Sequence, residues 1–98
     1  MIVDRGLLAT LEARPGRERE LAEFLEAGRE IAAAEPGTVT WYAFRTGTTT
    51  FAIFDTFADQ AGRDAHLAGA MPVALEAVAA DLLAVPPVIT SVDVLAAK

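Results

Sequence analysis

The 98 residues carry eight basic and fourteen acidic side chains, a formal net charge of −6, one histidine, no cysteine and a hydrophobic fraction of 53%. No disulfide, thiolate metal site or cysteine nucleophile can form, and basic residues scattered singly along an acidic chain exclude nucleic acid and anionic membrane as partners. The length suits one domain over residues 1–98, and the apolar excess is more than so small a body hides inside itself.

The N-terminus has no basic stretch leading into an apolar run. No apolar stretch approaches the roughly 20 residues a bilayer requires, so the expectation is a cytoplasmic protein.

In chain order, residues 6–13 read as a strand with apolar character on both faces, broken by Arg14-Pro15-Gly16. From about 17 to 34 the period changes. Leu21, Phe24, Leu25, Gly28, Ile31 and Ala32 fall on one helical face, while Arg19, Glu23, Glu26 and Glu30 fall on the other. Glu35-Pro36-Gly37 ends this amphipathic helix, because proline disfavours helical geometry in the residue before it. Residues 38–46 are rich in β-branched and aromatic side chains. With 50–57 across a Gly47-Thr48-Thr49 turn they predict a β-hairpin.

Asp59 is placed to cap a helix beginning at Gln60 and to pair with Arg63 one turn on. Gly69 and Pro72 interrupt that helix. A further helical segment over about 72–84 carries Leu75, Val78, Ala79 and Leu82 on one face, and Pro86-Pro87 stops it. Residues 88–96 are the last strand. The order is β-α-β-β-α-β, an α+β ferredoxin-like arrangement with a four-stranded antiparallel sheet.

The sheet faces carry a second expectation. A sheet with one wet face alternates apolar and polar residues. Here Val39, Trp41 and Ala43 share one parity and Tyr42 and Phe44 the other. Phe51, Ile53 and Phe57 oppose Ala52 and Phe54 in the same way. The helices cover one face, so the other is expected to meet a second copy of the chain as a homodimer.

Glu35-Pro36-Gly37 leading into an aromatic strand, a strand Phe51-Ala-Ile-Phe54-Asp55-Thr-Phe57 ending near an acid, and a short helix closing on His66-Leu67 together resemble the antibiotic biosynthesis monooxygenase family. The resemblance spans about Leu7 to Val94. It implies a dimeric α+β barrel and, among the family's activities, cofactor-free oxygenation of phenols or quinols, or haem degradation. The haem-degrading members and the polyketide oxygenases rely on a pocket asparagine, and this chain has no asparagine. That disfavours the haem reading.

Against this background His66 is the candidate general base for a phenolic substrate, or an axial haem ligand, because only its side chain titrates near neutrality. Asp55, in an apolar strand, needs a partner among His66, Arg45, Arg63 or a backbone amide. It either orients His66 or ties the strand end to the next helix. Trp41, Tyr42, Phe44 and Phe54 are candidate walls for a flat ligand, although Trp41 and Tyr42 point to opposite faces and are not expected in one cavity. Arg45 and Arg63 are candidates to hold an anionic group or to pair with surface acids. No metal-ligand spacing and no phosphate loop is present, so no cofactor is expected. The expected function is a cofactor-independent monooxygenase acting on a small aromatic, phenolic or quinol compound. The rivals are a non-catalytic dimeric ligand-binding or stress-response domain and a haem-binding protein.

Overall fold

A computed structural model describes residues 3–98. The elements are β1 (Arg5–Glu12), α1 (Glu18–Ala33), β2 (Thr38–Arg45), β3 (Thr50–Phe57), α2 (Gln60–Leu67), α3 (Ala70–Leu82) and β4 (Val88–Asp93). The strands form one sheet in the order β2-β3-β1-β4, and every neighbouring pair is antiparallel. This is the expected ferredoxin-like arrangement. The last strand is shorter than the alternation of residues 88–96 predicts, and Leu95 lies 96% exposed beyond it.

Period-two and period-3.6 patterns meet on one side of the sheet. Leu11 from β1 and Phe51 and Ile53 from β3 pack against Leu21 and Leu25 of α1 and Met71 and Leu75 of α3. Burying each such side chain contributes about 1.5–3 kcal/mol. Gly28, in the middle of α1, has a packing reason. A Cβ there would lie 3.0 Å from Cε of Met71 and 3.4 Å from the Trp41 ring.

The opposite face is a set of cross-strand rows. Tyr42 pairs with Phe54 and Phe54 with Leu8, while Phe44 pairs with Ala52. No helix of the core cluster lies on this side, and Tyr42 is 59% exposed, Phe44 43% and Val88 59%.

The second helical region departs from expectation in one respect. Taken as one run, Gln60–Leu82 contains an 18-residue window with a mean hydropathy of 1.2, long and apolar enough by composition alone to cross a membrane. No such stretch is expected from the apolar pattern of the sequence. Extended backbone at Gly69 (φ −92°, ψ −161°) divides it into helices of 8 and 13 residues. Each is shorter than the roughly 20 residues a span needs.

Candidate functional site

His66 is set in place by glycines. In α2, Gly62 and His66 are the buried residues, one turn apart on one face. A Cβ on Gly62 would sit 2.7 Å from the carbonyl oxygen of Gly37, and one on Gly37 would sit 2.7 Å from Cα of Gly62. The first turn of α2 therefore rests backbone to backbone on the turn between α1 and β2. Asp59 caps α2 as expected, its Oδ1 accepting from the Gly62 amide at 2.8 Å. The expected Asp59–Arg63 pair does not form. Arg63 donates instead to Gln60 Oε1 at 2.8 Å and to the Gly6 carbonyl at 3.4 Å, where it joins α2 to β1.

This docking carries the His66 ring between two carboxylates. Nδ1 lies 2.7 Å from Glu35 Oε1, and Nε2 lies 3.1 Å from Asp55 Oδ2. Thr38 Oγ1 donates to the same Glu35 oxygen at 2.8 Å, and the Phe57 ring packs at 5.3 Å from the imidazole. Asp55 is 2% exposed and His66 7%. Burial alone lowers the imidazole pKa. The hydrogen bonds to Asp55 and Glu35, and then their charges, outweigh it and hold His66 up at about 9.

The raised pKa favours the imidazolium, whose two N–H groups both face carboxylates. Neither ring nitrogen borders the open space described below. Asp55 combines its two expected roles, since it orients His66 and thereby ties β3 to α2. Glu35 was read only as the end of a helix. The signal that could have found it is a carboxylate held next to a Pro-Gly turn that must carry a buried neighbour.

The open space lies elsewhere. A cleft of about 560 Å³ runs between α1 and β2, bordered by Ala22, Leu25, Glu26 and Arg29 on the helix and by Trp41 to Arg45, with Phe51, on the sheet. A smaller hollow of about 170 Å³ continues it past Arg29 and Trp41 towards Thr38. Trp41 and Tyr42 border the same cavity, contrary to the parity argument. β2 is an edge strand, and a cleft along a free edge touches consecutive residues of both faces.

Among the sequence candidates, Trp41, Tyr42, Phe44 and Arg45 border the cleft. His66, Asp55, Phe54 and Arg63 border neither part of it. Trp41 links the two regions, because it lines the cleft and is the cross-strand partner of Asp55. Its indole Nε1 is buried without a hydrogen-bond partner among the described residues, an arrangement that costs about 1–3 kcal/mol.

No protein-family model matches the sequence, and no functionally curated protein matches it. Solved structures do. A candidate antibiotic biosynthesis monooxygenase from Caulobacter crescentus superposes with a TM-score of 0.77 at 23% identity, over 96% of this chain and 92% of that one. A second from Nitrosomonas europaea gives 0.82 at 16% identity, over 94% and 99%. The chain thus has the fold of these candidate monooxygenases. At 50% identity, a protein of unknown function from Nitrosomonas europaea matches with a TM-score of 0.95, over 98% of this chain and 93% of that one. The chain belongs to the same family as that protein.

Proposed function

We propose that this protein takes small flat aromatic compounds, phenols or quinols, into the α1–β2 cleft and oxygenates them without a cofactor. The observation that carries the reading is the cleft itself. Its volume of about 560 Å³ and its aromatic walls, Trp41, Tyr42, Phe44 and Phe51, suit a drug-sized ligand. It also stands on a fold shared with candidate monooxygenases. The reaction balances without an external reductant. An activated ring CH2 and O2 give C=O and H2O, with all four electrons drawn from the substrate.

In this reading Trp41 is the ligand-stacking wall. Asp55, His66 and Glu35 are positioning residues that hold β3, α2 and the α1–β2 turn around it. The open sheet face, with Tyr42, Phe44 and Val88 exposed, is the contact for a second copy. Sedimentation should then give twice the 10.3 kDa monomer mass, and Phe54→Arg should halve it. A monomeric wild-type protein would refute this contact.

A panel of quinols and anthrone-type phenols in an oxygen electrode tests the activity. Turnover is expected, and Trp41→Ala should lower it at least tenfold. One observation favours a second reading, non-catalytic binding: the single histidine and both its carboxylates border neither part of the cleft. Binding without oxygen uptake would establish that reading, and no binding at all would sink both.

A further inference from the structure

The acidity of the chain makes the charge of the cleft unexpected. Against a net charge of −6, the cleft is bordered by two guanidiniums, Arg29 and Arg45, and one carboxylate, Glu26. Arg45 is not spent on an ion pair. Among the described residues it has no carboxylate within 4.0 Å, and its Cζ rests over the Phe51 ring, 4.9 Å from the centroid. Phe51 also lines the cleft. The ring therefore holds the guanidinium at the cleft wall by cation–π attraction without consuming its donors. Arg29 pairs with its chain neighbour Glu30 at 2.8 Å, but both side chains are well exposed, 71% and 80%. A pair of that kind holds its partners weakly and yields to a better acceptor.

We propose that the cleft selects planar aromatic anions, a ring carrying a carboxylate or an equivalent ionised oxygen, with the ring against Trp41 and the anionic group on Arg45, assisted by Arg29. The planar fork of Arg45 suits a carboxylate, which it can meet with two parallel hydrogen bonds. The inference rests on the reading of the cleft as the ligand site.

The test is calorimetric titration of the wild-type protein with 2-naphthoate and with its neutral counterpart, methyl 2-naphthoate. Fluorescence of Trp41, the only tryptophan, supplies an independent readout of occupancy. The acid should bind at least tenfold more tightly than the ester, and the difference should shrink as salt is raised. Arg45→Met keeps an apolar stem over Phe51 and should remove most of the preference while circular dichroism stays unchanged. Arg29→Gln should reduce it a few-fold. Equal binding of acid and ester, or a preference that survives in the double variant, overturns the inference and leaves the cleft reading standing. If neither compound binds, the cleft reading fails and the inference falls with it.

Discussion

The buried cluster of Asp55, His66 and Glu35 and the α1–β2 cleft are linked through Trp41, which lines the cleft and pairs across the strands with Asp55, yet they are built on opposite principles. The cluster is closed, with donors and acceptors matched at 2.7 and 3.1 Å. The cleft is open, walled by rings, and edged by guanidiniums with little to hold them. A side chain that titrates near neutrality marks a site only when one of its nitrogens is free. Here the charge that catches the eye in the sequence is consumed in holding three elements together. The groups that border open space are the candidate ring walls Trp41, Tyr42 and Phe44, with Arg45 beside them.

The sharpest way to break this comparison is to remove the cation from the cluster. His66→Ala should cost about 3–5 kcal/mol, because it leaves two carboxylates facing one another in a nearly dry space. Chemical denaturation measures it, and a loss below 1 kcal/mol would show that the cluster is not a structural tie. Trp41→Ala should cost less, about 2 kcal/mol. Trp41 is only partly buried and lines the cleft, and the change also relieves its unpaired indole nitrogen, so ligand binding should suffer more than stability.

The pH dependence follows from the raised pKa of His66. A group that holds its proton more tightly when folded stabilises fully below its unfolded pKa of 6.5, and that contribution is lost as pH rises through about 9. Wild-type stability should therefore fall between pH 6.5 and 9. In His66→Gln the fall over that window should be absent. The smallest effect is expected from Gly28→Ala. A gain in helix propensity of about 1 kcal/mol offsets the displacement of the flexible Met71 end, so stability should barely change while the Trp41 emission shifts.

Much of the fold was legible in the sequence because its elements differ in period. The switch from the 3.6-residue spacing of Leu21, Leu25, Gly28 and Ala32 to the aromatic run from Thr38 placed α1 and β2 within a residue or two of their bounds. Apolar side chains at both parities also announced an uncovered sheet face. The site was legible only in part. His66 and Asp55 were found as chemically distinctive residues, and the structure places them in contact. Glu35 was missed, since its role depends on α2 docking against the Pro-Gly turn through Gly37 and Gly62, 25 positions apart. The cleft was legible only as separate candidate walls, Trp41, Tyr42 and Phe44, with Trp41 and Tyr42 not expected in one cavity. Strand parity separates the two faces of an interior strand, and only the order β2-β3-β1-β4 makes β2 an edge.

Periodicity, breakers and composition act locally along the chain, so the sequence by itself determined the elements, their order and the excess of apolar sheet surface. Protonation state and accessibility depend on what other elements bring to within a few ångströms. Only the tertiary structure could decide that the one histidine lies buried between two acids, and that an open cleft runs along the free edge of β2, where Trp41, Arg45 and Phe51 face α1.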